Sequence, residues 1–416
     1  MILPPFSPAS SLLVQATTQR VAIDDGQVSA QQNHVSVKTT EKPRLGSGIG
    51  EMIFGPEGSS APDNSRIANQ FLNKAIDMAK ALARLQGSSV QAVIGNLPGG
   101  GIMQASNGWG YTAEIEIYHS GAIRMSSQLT GTSGDDNLTI NTGDASQKDV
   151  TRMSPMPFGI DAGDGNDALS LASQRVMNVD GGKGDDRVAI DAMLVTNIDG
   201  GEGADAIAIV SSEVYNVEGG AGADAISIAA HNISNVYGGA GNDAVTIQGD
   251  HVFNVSGGGG SDAISVSAKV AQNVEGGEGS DLLTVNAQQY AHIRGGAGND
   301  VINARASGND GFLNVSGGTG NDLINIDADM ALLRFEGGDG KDQVQIKRTR
   351  DLTVSLGTAD LDGAKISFDE DSLKIVLEDG AEITVNGLKH TTSIRVISDH
   401  NSGIDLRSHK PLDIVI

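Results

Sequence analysis

From residue 181 onward the chain keeps returning to one six-residue string, GG-x-G-x-D. It occurs nine times without a mismatch, with first glycines at Gly181, Gly200, Gly219, Gly238, Gly257, Gly276, Gly295, Gly317 and Gly337. The steps are 19 residues six times running, then 22, then 20. An imperfect copy, AGDGND, starts at Ala162, and a more distant one, GTSGDD, at Gly131. A period of about twenty residues is too short for a unit with its own core. It predicts a solenoid in which each repeat forms one coil and buries its apolar face only against its neighbours.

The residues between the turns say what kind of coil this is. Each turn is followed by an alternation such as RVAI (187–190), AIAI (206–209) or AISI (225–228). Alternating β-branched residues predict a short strand with one buried face. A second apolar pair precedes the next turn, as in VTNI (195–198), VYNV (214–217) and VFNV (252–255). Each coil therefore contains two short parallel strands joined by two turns, with apolar residues stacking about 4.8 Å apart along the axis. Composition agrees: aromatics are only 3% of the chain, too few for a round core of large side chains. The 56 glycines do not follow the every-third spacing of collagen, and the interleaved valines and isoleucines exclude a flexible linker. Asparagines form another column, with Asn178, Asn197, Asn216, Asn235, Asn254, Asn273 and Asn314 each three residues before a turn. They serve either as turn formers or as a stacked amide ladder, and both readings are structural.

Stacking the coils also stacks the last turn residue: Asp167, Asp186, Asp205, Asp224, Asp243, Asp262, Asp281, Asp300, Asp322 and Asp342. Carboxylates about 5 Å apart repel by about 1 kcal/mol in water and by several at lower effective dielectric. Such a column calls for a counter-charge. Glycines allow positive φ and tight turns, which bring backbone carbonyls toward the same space. Carboxylates with carbonyls make a set of hard oxygen donors, suited to Ca²⁺ more than to Mg²⁺ or to thiolate- and imidazole-preferring metals.

This pattern resembles the glycine-aspartate nonapeptide of the RTX (repeats-in-toxin) calcium-binding proteins, over residues 162–347 with a looser start at 131. The resemblance implies a parallel β-roll with Ca²⁺ held between successive turns by the ten aspartates named above, with Asp136 as a further position. It also implies folding on Ca²⁺ binding after secretion. One departure matters. The family pattern repeats about every nine residues and uses both edges of the roll. Here it appears once per coil, and the opposite edge carries unrelated segments such as DAML (191–194), AAHN (229–232) and SAKV (267–270). One row of about nine ions between ten turns is therefore expected. The other edge must close without metal, and a flattened or triangular β-helix also accepts this spacing.

The flanks divide the rest of the chain. Residues 1–62, rich in Ser, Gln, Thr and Pro, read as a disordered leader. Residues 63–130 read as an N-terminal cap with a helix over 65–86, SRIANQFLNKAIDMAKALARLQ, and a strand through Tyr111, Ala113, Ile115 and Ile117. Residues 141–161 interrupt the repeat as a loop. The solenoid spans 131–347, and residues 348–416 read as an antiparallel β cap built from DLTVSL, AKISF, SLKIVL and EITV. The fold class expected is all-β, a parallel solenoid of 19-residue coils with these two caps.

A net charge of −24 repels nucleic acid and anionic membranes. With no cysteine there are no disulfides or thiolate metal sites, and no apolar run is long enough to span a membrane as a helix. The start, MILPPFSPASSLLVQA, does not read as a Sec signal, while the ending PLDIVI resembles the export signal of secreted RTX proteases and lipases. Together these point to type I secretion, with a type III effector as competitor. No HExxH, GxSxG or Walker A string is present, and His231, His251 and His292, in comparable parts of coils, read as surface substitutions. The reading is a secreted calcium-binding structural, adhesive or interaction module, with an extracellular polysaccharide or a cell-surface or host protein as partner. The alternatives are a calcium-dependent polysaccharide lyase or epimerase and a host-directed effector.

Overall fold

The computed structural model describes residues 11–17, 34–39, 92–95, 102–105, 110–118, 123–141, 159–357, 363–399, 401–406 and 412–415. The chain forms two compact units, 1–183 and 184–416. Among the described residues there is no α-helix, and the predicted helix over 65–86 lies outside them. Among those residues, too, no helix is long and apolar enough to cross a membrane.

In the second unit the repeat is a parallel β-solenoid. Ala206–Val210 and Glu213–Ala221 make one coil, Ala225–Ala229 and Asn232–Ala240 the next, and Ala244–Gln248 and His251–Gly259 the one after. Register follows the sequence period: Ile207 faces Ile226, which faces Val245, and Val214 faces Ile233, which faces Val252. All six are at most 1% exposed. Each such side chain contributes roughly 1.5–3 kcal/mol of burial, and a one-residue slip would turn every one outward. The larger step of 22 is absorbed at the edge away from the glycine turns. Ser307–Gly311 bulges there, with the Gly311 N–H donating to Gly308 O at 3.1 Å, and Val301 still faces Leu323.

That opposite edge is stitched by backbone bonds from coil to coil. Examples are Ser211 N–H to Ala229 O and Asp250 N–H to His231 O, each 3.0 Å. The asparagine column resolves in favour of the ladder. Asn216 donates to Asn197, Asn235 to Asn216, Asn254 to Asn235 and Asn273 to Asn254, all at 2.8–2.9 Å. These residues sit at φ of 53–59°, a left-handed backbone that asparagine tolerates better than other side chains. His292 occupies the next place, its Nδ1 2.9 Å from Asn273 Oδ1, and it faces Asn314, which accepts from Arg334. His292 is thus a ladder member, whereas His231 lies beside Asp250 and His251 stacks on Phe253. The three histidines are not equivalent, contrary to expectation.

Part of the C-terminal region continues the parallel pairing. The strand Asp351–Ser355, expected in an antiparallel cap, is parallel to Met330–Arg334 and to Ser393–Ser398. Glu382–Asn386 likewise runs parallel to Lys341–Gln345. Asp351–Ser355 therefore completes the coil that follows the last GG-x-G-x-D turn, and Glu382–Asn386 with Ser393–Ser398 adds a further coil without that motif, because buried Ile383, Val385, Ile394 and Val396 continue the inner columns. Antiparallel pairing caps this coil through Lys365–Phe368, Ser372–Val376, Asn401–Asp405 and Leu412–Val415. Within 1–62, read as a leader, the described residues are two strands, Ser11–Thr17 and His34–Thr39.

In the first unit, Ser11–Thr17 and His34–Thr39 pair antiparallel with each other, and Ser11–Thr17 pairs with Gly110–Tyr118. Period-two alternation in HVSVKT carried this signal. Gly110–Tyr118, the expected strand, also pairs antiparallel with Ile123–Thr130. Ile123–Thr130 then runs parallel to Gly159–Asp161, and Asn137–Asn141 to Ala168–Ala172, as the first coils of this unit.

Candidate metal site

The turns explain their glycines. In the second unit the second and fourth turn glycines, for example Gly220 and Gly222, have φ of 112° and 145°, and a Cβ on either would collide with a carbonyl of the preceding coil. The first glycine is needed for another reason. A Cβ on Gly238 would lie 2.5 Å from both Asp243 Oδ2 and Gly257 O. The same crowding by the turn's own aspartate and the next coil's carbonyl recurs at Gly200, Gly219, Gly257, Gly276 and Gly295. Each of these six turns thus keeps open a small space where a carboxylate oxygen and a backbone carbonyl meet.

The aspartates enter that space from beneath the turn. Asp186, Asp205, Asp224, Asp243, Asp262, Asp281, Asp300, Asp322 and Asp342 are all 1–2% exposed. One oxygen of each carboxylate is already used. The Asp224 N–H donates to Asp243 Oδ1 at 2.8 Å, and the same bond links Asp186 to Asp205 and so on to Asp300 with Asp322. The last step, from Asp322 to Asp342, is 3.0 Å. In Asp205, Asp224, Asp243, Asp262, Asp281, Asp300, Asp322 and Asp342 the second oxygen, Oδ2, is buried without a hydrogen-bond partner. In the first unit Asp167 and Asp136 are 2% and 3% exposed, and the Asp136 N–H donates to Asp167 Oδ1. The Asp136 carboxylate differs from the regular copies in one respect: its Oδ2 accepts from Thr132 N–H, and the buried oxygen without a partner is Oδ1.

Electrostatics follow from this burial. Desolvation raises the carboxyl pKa of Asp205, Asp300 and Asp322 to about 6, against the lowering effect of the backbone N–H bond and with neighbouring aspartate charge adding to it. The same causes raise Asp167 to about 6 and Asp342 to about 8. They also push Asp224, Asp243, Asp262 and Asp281 upward. An ionised column is thus unfavourable unless something positive reaches the Oδ2 row.

Ca²⁺ takes about six to eight oxygens from carboxylates, carbonyls and water. The buried Oδ2 atoms and adjacent turn carbonyls are the right chemical kind. Among the described residues no three His, Cys, Asp or Glu side chains converge on one point, so backbone carbonyls and water would supply most ligands.

Two neighbouring features were not read from the sequence. The fifth turn residue forms a second, exposed ladder, in which Asn242 Oδ1 accepts from Ser261 N–H at 2.7 Å and Asn299 Oδ1 from Asn321 N–H at 2.8 Å. The recurrence of Asp, Asn and Ser at this place was its signal. The last turn, GGDGKD, is modified by Asp339 and Asp379. Asp339 Oδ2 accepts from Glu336 N–H and Asp379 Oδ2 from Gly338 N–H, at 2.6 and 2.7 Å. Burial, followed by the opposing Glu336 N–H bond and the charges of Glu336 and Asp379, leaves Asp339 at about 6. In the sequence, EDG at 378–380 signalled only a turn. No family model, no curated protein and no solved structure matches this chain.

Proposed function

We propose that this solenoid is a calcium-loaded structural or adhesive module of the RTX kind, secreted unfolded and locked by external Ca²⁺. The observation that carries the reading is the row of buried Oδ2 atoms without partners, each beside a turn kept open by glycine. Asp186, Asp205, Asp224, Asp243, Asp262, Asp281, Asp300, Asp322 and Asp342, with Asp136 and Asp167 in the first unit, would hold the ions together with turn carbonyls. Bound Ca²⁺ would supply the positive charge that the Oδ2 row calls for. The chain supplies the rest: the β-branched columns fix the coil spacing, and the N–H ladder aims each carboxylate.

Binding energy becomes folding energy where no site exists in the unfolded chain. About nine divalent ions would also take the formal net charge from −24 to about −6, relieving self-repulsion across the roll. The test is calcium titration of the chelated protein, followed by far-UV circular dichroism with bound ions counted by calorimetry. A cooperative gain of β signal with about nine ions supports the reading. An unchanged spectrum overturns it. Export is tested separately by deleting residues 413–416 or 1–62 in a host carrying a type I exporter. Leu412–Val415 pairs with Lys365–Phe368, so the calcium-induced fold of each deletion must be checked in parallel.

A further inference from the structure

The outward face of the strands that follow the glycine turns changes character along the second unit. In the coils from 206 to 267 the first outward column is Ala206, Ala225, Ala244 and Ala263, and the next is Ala208, Ser227, Thr246 and Ser265. That surface is flat and without reach. From 282 onward the same columns carry large and polar side chains. The first becomes Leu282, Val301 and Leu323, with the two leucines 46% and 43% exposed. Large apolar side chains stacked on one another and left in water mark a contact surface.

Beside this apolar stripe runs an amide stripe, Asn303, Asn325 and Gln345, with Asn325 donating to Asn303 at 2.9 Å. Beyond it stand the charges. Asp327, only 18% exposed, is shared by Arg305 at 3.8 Å, Lys347 at 3.7 Å and Arg348 at 3.0 Å, and Arg348 also reaches Asp329 at 3.6 Å. Three cations thus meet two carboxylates in a chain whose net charge is −24. Arg305 and Lys347, 58% and 80% exposed, are the loosely held pair, free to engage something else. The amide and charged stripes line a depression of about 550 Å³. A second of about 530 Å³ continues from Asn286 and Arg305 to Lys269 and Gln248 at the edge.

We propose that this face is a binding groove for an extended acidic glycan lying along the solenoid axis. Coils repeat about every 4.8 Å, comparable to the length of one sugar ring in an extended chain. The leucine–valine stripe suits the C–H faces of the rings, the amides can both donate to and accept from hydroxyls, and Arg305 and Lys347 suit carboxylate or sulfate groups. Single-stranded nucleic acid is disfavoured because no aromatic ring lines either depression among the described residues, leaving bases no stacking platform. A peptide strand is disfavoured because Val301–Ala306 and Leu323–Asp327 are paired on both sides, with no free backbone edge to extend. The groove is independent of the aspartate row except that the roll must be folded.

The experiment uses the full chain in calcium, with circular dichroism reporting the fold of every variant. Galacturonate oligomers, uncharged dextran and oligodeoxythymidylate are titrated by calorimetry. Galacturonate oligomers bind, with dextran and oligodeoxythymidylate much weaker. The variant Arg305→Gln/Lys347→Gln loses at least about tenfold in affinity, and Asn303→Ala/Asn325→Ala several-fold. The charge-matched control Arg294→Gln/Arg334→Gln, outside both depressions, retains wild-type affinity. The proposal is overturned by no binding of galacturonate, by a preference for oligodeoxythymidylate, or by equal losses in the two charge variants. A chain that does not respond to calcium by circular dichroism yet binds galacturonate through Arg305 and Lys347 would leave the groove standing and remove the calcium reading.

Discussion

The buried aspartate row predicts an inverted pH dependence for the metal-free protein. Folded-state pKa values raised above about 3.9 mean that the native state holds more protons than the unfolded chain at intermediate pH. Stability is then fully present below the unfolded pKa and falls as pH rises through the folded one. For Asp205, Asp300 and Asp322 that window runs from about 4 to about 6, and for Asp342 to about 8. A rise of about two units is worth about 3 kcal/mol per group. Asp300, Asp322 and Asp342 are neighbours in one row and share part of this cost, but all four groups act in the same direction, against a total stability of about 5–15 kcal/mol for an ordinary domain. Relief of net negative charge in acid acts in the same direction. The protein, dialysed free of divalent ions, should be folded near pH 4.5 and largely unfolded near pH 7.5, by far-UV circular dichroism and urea midpoints. Added Ca²⁺ should restore the fold at pH 7.5 and do little at pH 4.5, where protons compete for the same oxygens. Asp243→Asn sharpens the test, since the amide keeps an oxygen for the Asp224 N–H while removing the charge. It should stabilise the metal-free protein at pH 7.5 by about 2 kcal/mol and reduce the calcium count. Metal-free protein at least as stable at pH 7.5 as at 4.5, or destabilised by Asp243→Asn, would refute the reasoning.

Three further outcomes are expected in the calcium-loaded protein. Asn235→Ala removes two ladder bonds and the side chain that tolerates φ of 59°, and should cost about 1–2 kcal/mol in urea unfolding. Asn235→Gly should cost less, because only the bonds are lost. Gly220→Ala places a Cβ against Gly201 O at φ of 112° and should lower stability by about 3 kcal/mol or more, read as a fall in melting temperature. Ile394→Ala, at a fully buried position of the coil that lacks the GG-x-G-x-D turn, should cost about 2–5 kcal/mol and show whether that coil unfolds with the rest.

Much of this architecture was legible because the repeat writes each coil in the same letters. Period, parallel pairing, inward columns and the aspartate row all follow from register, and Ile207 over Ile226 over Val245 is the sequence period seen in space. What was not legible depends on partners that do not recur. Asp351–Ser355 and Glu382–Asn386 carry alternation that suits either strand direction, and only the inner columns they extend decide it. Asp379 joins the last turn across 41 residues, a distance at which no local pattern speaks. His292 looked like a surface change because its column was defined by asparagine. The aspartates themselves were legible as a row, but not the division of labour within each carboxylate. Oδ1 is committed to a backbone N–H, leaving Oδ2 in the space kept open by glycine.

That division bears on why the motif appears only once per coil. On the proposed calcium reading, folding where the glycine turns run depends on what neutralises the Oδ2 row, and that edge would answer to the ionic medium. The opposite edge closes on backbone bonds such as Ala230 N–H to Gln248 O at 3.0 Å, and its side chains are free to differ: His231, Asp250 and Lys269 hold one stretch by charge. A roll with metal-dependent turns on both edges would have to keep glycine and aspartate at both. With one such edge, the outward columns can change from alanine and serine to leucine, asparagine and arginine between 263 and 305 while the strand that carries them keeps its register, the shifts falling between Ala268 and Val274. Variation in the charged groove should therefore leave the calcium-induced transition unmoved. If Arg305→Gln/Lys347→Gln shifts the calcium midpoint more than about twofold at constant ionic strength, the two edges are coupled and this separation of roles fails.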